Sequence, residues 1–77
     1  MSREVLLQRT PVSSSNIASI GYDAGAQVLE VAFLNGAVYQ YFGVPEMVYR
    51  GLMNAGSHGG FLDSHVKKAG YRYTRLA

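Results

Sequence analysis

The stretch Gln27-Val28-Leu29-Glu30-Val31-Ala32-Phe33-Leu34-Asn35-Gly36-Ala37-Val38-Tyr39-Gln40-Tyr41-Phe42 decides the fold. Residues 27–34 read as the clearest strand in the chain, with Leu29, Val31 and Phe33 on one face because side chains alternate along an extended backbone. Asn35-Gly36 is the strongest short hairpin signal, since both residues tolerate positive φ. Residues 37–42 then form the return strand. A two-residue loop would set Val38 and Phe42 beside Leu29 and Phe33. A three-residue loop, with Gly36 as the left-handed bulge residue, would instead set Tyr39 and Tyr41 beside Val31 and Leu29. A one-residue slip exchanges the two faces. The three-residue loop is favoured because it makes one continuous Leu/Val/Phe/Tyr/Tyr face.

Outward from this hairpin, residues 17–22 read as a preceding strand and Asp23-Ala24-Gly25 as a turn. Before it, Val5-Leu6-Leu7 is a short apolar piece, and Pro11 with Ser13-Ser14-Ser15-Asn16 reads as loop and strand entry. Downstream, Gly43-Val44-Pro45 ends the sheet. Pro45 suits a first helical turn, and Glu46 complements the positive end of the helix dipole. Val44, Met47, Val48, Leu52 and Ala55 recur at helical spacing and predict a helix over 45–55, in which Gly51 implies close packing. Ser57-His58-Gly59-Gly60 is a connector. A second, short helix is expected over 60–68 with Phe61, His65 and Val66 inward, and Gly70 lies where a C-cap glycine would. The tail Tyr71-Arg72-Tyr73-Thr74-Arg75 alternates Tyr and Arg, which suits an extended segment or edge strand. The expected fold is α+β: a small antiparallel sheet of about three to four strands around a central Asn-Gly hairpin, packed by one main helix and one short helix.

Composition narrows the function classes. The chain has 77 residues, 48% apolar and 16% charged, which fits one folded domain. It has no Cys, so disulfides and thiolate metal sites are excluded, and a reducing, cytoplasmic location is expected. Residues 1–8 show no signal-peptide architecture, and no segment approaches the roughly 18 apolar residues of a membrane helix. The net charge of +2 is uneven: no acid follows Asp63, whereas Lys67, Lys68, Arg72 and Arg75 do. A basic end on a near-neutral body is either a solvated terminus or an anion-binding patch.

Catalytic chemistry finds little support. Ser57, Asp63 and His65 can be assembled on paper as a triad, but no visible pattern aims a base at a nucleophile, and Ser57 reads equally as a helix N-cap. A metal set of His58, Asp63 and His65 matches no compact ligand spacing and lacks a fourth ligand. The carboxylates are scattered rather than paired. No enzyme, metal or cofactor is therefore expected. The Gly-rich connector Ser57–Gly60 could offer backbone N–H donors to an anion, though it lacks the P-loop pattern and also reads as a tight inter-helix turn. The remaining feature is the mixture of Tyr with cations. Aromatic faces stack on unpaired bases while cations track phosphates, so a module for RNA or single-stranded nucleic acid is expected. Lys67, Lys68, Arg72, Arg75 and Arg50 are the candidate phosphate contacts, Tyr39, Tyr41 and Tyr73 the candidate stacking rings, and Ser57, His58 and Gly59 the candidate connector contacts. The alternative reading is a protein-interaction module, a homodimer through an exposed edge strand included. No membrane partner is expected.

Several stretches, in order, resemble one family: Ser14-Ser15-x-Ile17, Ile20-Gly21-Tyr22-Asp23, Leu29-x-Val31-x-Phe33, Asn35-Gly36-x-x-Tyr39-x-Tyr41, Val44-Pro45, Leu52, Ala55 and Ser57-x-Gly59-x-Phe61. This pattern is similar to the KTSC domain, a short domain named for its occurrence at the C-terminus of some lysyl-tRNA synthetases. The resemblance runs from about residue 13 to 73, leaving 1–12 and 74–77 as flanks of a single domain. It implies a small bacterial or phage domain, and the synthetase association suggests RNA binding by analogy only. Many members are basic around Ser-x-Gly-x, where this chain has His58 and Gly60. His58 would add charge there only at mildly acidic pH.

Overall fold

The computed structural model describes residues 7–77; the readings made on residues 1–6 lie outside the described residues. Five strands form one antiparallel sheet in sequential order: β1 (Thr10–Pro11), β2 (Ile17–Asp23), β3 (Val28–Phe33), β4 (Val38–Phe42) and β5 (Tyr73–Arg75). The sequence had suggested three to four. The tail expected as an extended segment or edge strand is β5, and the additional strand is β1, whose two residues carry too little pattern to be read and exist by pairing with β2.

The central register places Leu29 opposite Tyr41 and Val31 opposite Tyr39. Gly36 adopts φ +94°, and the Phe33 N–H donates to the Ala37 carbonyl at 2.8 Å. With Ile20 opposite Val31 and Tyr22 opposite Leu29, one face of the sheet carries Ile20, Tyr22, Leu29, Val31, Tyr39 and Tyr41. A bulge between Ile17 and Ser19 returns Ile17 to this face opposite Phe33.

Two helices cover that face. α1 (Glu46–Asn54) starts after Pro45, with Glu46 in its first turn, and buries Leu52. Tyr49 on α1 stacks on Tyr22 of β2 at 4.8 Å and 8°. Met47, expected on the packed side, is instead 82% exposed, because Leu52, Val48 and Tyr49 complete the packed stripe without it. α2 (His58–Leu62) begins two residues earlier than expected and passes into a π-helical turn over Asp63–Lys67, where the Lys68 N–H donates to the Asp63 carbonyl at 3.1 Å. That wider turn changes the inward face. Leu62 and Val66 are buried, whereas His65, expected inward, is exposed and stacks on Phe61 at 4.1 Å. The close packing expected at Gly51 is present: a Cβ there would stand 2.6 Å from Phe61 Cζ.

The opposite face holds an arrangement the sequence did not reveal. Glu30 is fully buried. Its carboxylate accepts from the Arg9 guanidinium, from the Leu7 N–H at 3.0 Å and from Gln40 Nε2 at 2.8 Å. Arg9 Nε also donates to Ser19 Oγ at 3.1 Å. Residues 7–9 therefore lie as a strap across the back of the sheet. Gly21 makes room for it, because a Cβ there would meet the Gln8 carbonyl oxygen at 2.5 Å. Removing one partner of a buried ion pair strands the other charge without water. Arg9→Ala should accordingly lower stability by about 2–4 kcal/mol in urea unfolding. A loss no larger than that of a surface substitution would show that the strap does not hold the carboxylate.

Candidate aromatic–cationic groove

The helices cover β2, β3 and part of β4 and leave the β4–β5 end of the same face open. A groove of about 480 Å³ lies there, lined by Phe33, Tyr39, Tyr73, Lys67, Arg75 and their neighbours. Each wall has a separate origin. Pairing of Tyr39 with Arg75 and of Tyr41 with Tyr73 puts four side chains on one face of adjacent strands. The π-helical turn ends at Lys67, whose Nζ stands 5.3 Å above the Phe33 ring. Arg75 Cζ lies 5.9 Å from the centroid of Tyr39, so both cations rest on aromatic faces. Phe33 meets Tyr39 edge-on at 5.9 Å, and Tyr73 leans on Tyr39 and Tyr41 at 5.8 Å each.

The three candidate stacking rings are not equivalent. Tyr41 is only 4% exposed and belongs to the core. Burial, followed by the neighbouring Tyr39 and Tyr73 phenols, pushes its hydroxyl up to about 12. It forms the floor of the groove, where its ring is covered by its neighbours. Tyr39 is half-buried among its neighbours, whereas Tyr73 is 63% exposed.

The cations also divide. Among the described residues three carboxylates each hold one cation: Glu30 holds Arg9, Glu46 holds Arg50 at 2.9 Å and Asp63 holds Lys68 at 3.3 Å. Lys67, Arg72 and Arg75 pair with no Asp or Glu side chain among the described residues. Arg75 Nε donates instead to the Ala77 carbonyl at 2.8 Å, and Lys67 and Arg75 both line the groove. Arg50 and Lys68, read as phosphate contacts, are engaged by neighbouring acids outside it.

The connector residues are occupied by structure. Ser57 caps α2, its Oγ accepting from the Gly60 N–H at 3.1 Å. His58 Nδ1 sits 2.8 Å from the Leu52 carbonyl, an acceptor only, so that nitrogen carries the hydrogen. Gly59 lies against Asn16, where a Cβ would come within 2.6 Å of Oδ1. These three residues line or flank a separate polar hollow with Ser13–Ser15, and the structure does not join them to the groove. Ser57, Asp63 and His65 are likewise spent on a cap, an ion pair and a ring stack.

Aromatic-floored and cationic at its rim, this is a groove open to one side on an α+β domain rather than an enclosed cleft. The KTSC domain profile matches residues 13–73, and the chain belongs to that family. It is 40% identical over 70 residues to an uncharacterized protein of Stutzerimonas stutzeri strain A1501, covering 91% of this chain and 99% of that one. It is 44% identical over 57 residues to a protein of Tsukamurella paurometabola, covering 74% and 85%. The crystal structure of a KTSC domain protein from Yersinia pestis superimposes with a TM-score of 0.83 at 44% identity, covering 91% of this chain and 97% of that one. No described helix is long and apolar enough to cross a membrane.

The Tyr41 environment has a pH consequence. Its hydroxyl is raised above the ordinary value of 10.0, so the folded state holds this proton more tightly than the unfolded chain. The resulting stabilisation is complete below pH 10 and disappears as pH rises through about 12. Alkaline titration followed by tyrosinate absorbance should show ionisation continuing above the ordinary tyrosine value of about 10, together with the onset of unfolding; a Tyr41→Phe variant should lose part of that late component.

Proposed function

We propose that this protein is a non-enzymatic, cytoplasmic module that binds RNA or single-stranded nucleic acid through the β4–β5 groove. The observation that carries this reading is the sorting of charge. Glu30, Glu46 and Asp63 pair with Arg9, Arg50 and Lys68, while the cations over the aromatic rings, Lys67 and Arg75, have no Asp or Glu partner among the described residues. Cations beside an exposed ring give a phosphate and a base their two kinds of contact at once. Tyr73 supplies the stacking face, Tyr39 its support, and Lys67 and Arg75 the phosphate contacts, with Arg72 adjoining on the same tail.

Labelled single-stranded RNA titrated into the protein and followed by anisotropy tests this. Two to three released counterions give a slope of log affinity against log salt of about −1.4 to −2 on a single strand. Tyr73→Ala should weaken binding roughly 5- to 150-fold, the range for loss of one stacked base. Absence of binding at low salt with micromolar protein would overturn the assignment.

One observation favours a second reading. β5 ends the sheet, so its outer edge has no partner strand among the described residues, and an exposed edge can pair with a second copy. Sedimentation showing mass that rises with concentration, without any response to nucleic acid, would select it.

A further inference from the structure

Building on the nucleic-acid reading of the groove, we propose that its ligand is a single nucleotide unit bearing a phosphomonoester, free or at the end of a strand, rather than the interior of a continuous strand. The first reason is the number of free aromatic faces. Tyr41 is buried, Tyr39 is enclosed by Phe33, Tyr41, Tyr73 and Arg75, and Phe33 lies under Lys67. That leaves Tyr73 as the exposed ring of the cluster, with room for one base.

The second reason is the lack of a cationic track. Proteins that hold the interior of a strand follow its backbone with a positively charged groove spanning about 4–16 nucleotides. Here Arg50 and Lys68 are each paired to an acid on the same helical segment, and Arg9 is committed to Glu30 behind the sheet. Of the cations without an Asp or Glu partner, Lys67 and Arg75 line the groove and Arg72 precedes β5 outside its lining. A strand leaving the groove meets no continuing run of unpaired charge among the described residues.

The third reason is charge matching. A phosphodiester carries one negative charge, whereas a phosphomonoester carries about −1.5 to −2 at pH 7, its second ionisation lying near 6. Two cations line the groove. The Lys67 ammonium offers three N–H donors, and the Arg75 guanidinium keeps its terminal NH₂ groups for a phosphate, because only Nε is spent on the Ala77 carbonyl. The volume of about 480 Å³ also lies in the range of small-ligand sites.

Calorimetric titration of the full chain separates the alternatives. The ligands are adenosine and uridine 5′-monophosphates, the two nucleosides, and linear strands of about ten nucleotides with and without a 5′-phosphate, a length within the usual single-strand site. A circular strand of the same length completes the set. The mononucleotides should bind at least roughly tenfold more tightly than the nucleosides, a difference of about 1.4 kcal/mol. Lys67→Gln and Arg75→Gln should each abolish most of that difference while circular dichroism stays unchanged. If the phosphorylated strand matches the mononucleotide and the circular strand does not bind, the ligand is a strand end. If the mononucleotide alone binds, the ligand is a free nucleotide. Circular and linear strands binding alike, with mononucleotides silent, would overturn the single-unit inference and leave the nucleic-acid reading standing. Silence from every ligand would remove both.

Discussion

The pairing register between β3 and β4 is the constraint on which the rest of this molecule depends. With Tyr41 opposite Leu29 and Tyr39 opposite Val31, both tyrosines share a face with the aliphatic core. A slip by one residue would send them to the back of the sheet and bring Gln40 to the front. The same register aligns Gln40 with Glu30, whose carboxylate accepts from it behind the sheet. The apolar core, the buried polar network and the aromatic groove are thus three outcomes of one alignment.

The two faces use this register differently. The front buries Ile20, Leu29, Val31, Leu52, Leu62 and Val66, and area removed from water drives it. The back buries a charge. An ion pair of this kind is weak as a net source of stability, because desolvation offsets attraction, but losing one partner is costly. The Arg9–Glu30 pair therefore acts chiefly as an address. It defines where residues 7–9 cross the sheet, and Gly21 clears the path that any side chain would block.

Charge is distributed by the same geometry. The excess of cations after Asp63 suggested four equivalent basic residues, but the fold makes them unequal. Asp63 begins the π-helical turn and reaches Lys68, leaving its neighbour Lys67 to lie over Phe33. β5 carries Arg75 to Tyr39. Pairing occupies some of these cations, and the two that line the groove rest on the half-buried rings of Phe33 and Tyr39.

The sequence by itself determined the α+β class, the strands over residues 17–22 and 27–34, the main helix and the kinship with the KTSC family. Each of these is carried by local periodicity, by turn chemistry or by an ordered set of short motifs. The capping role of Ser57 was legible because it is a local effect along the chain, and the close approach at Gly51 because a glycine inside a helix is costly without one. Tertiary structure alone decided the edge strand at Thr10–Pro11, the burial of Glu30, the exposure of His65 and the division of tyrosines into floor and rim. None of these has a local signature. A two-residue strand exists only by pairing, a buried carboxylate is recognised only through partners 10, 21 and 23 residues away, and a π-helical turn shifts a face without altering the composition that predicted it.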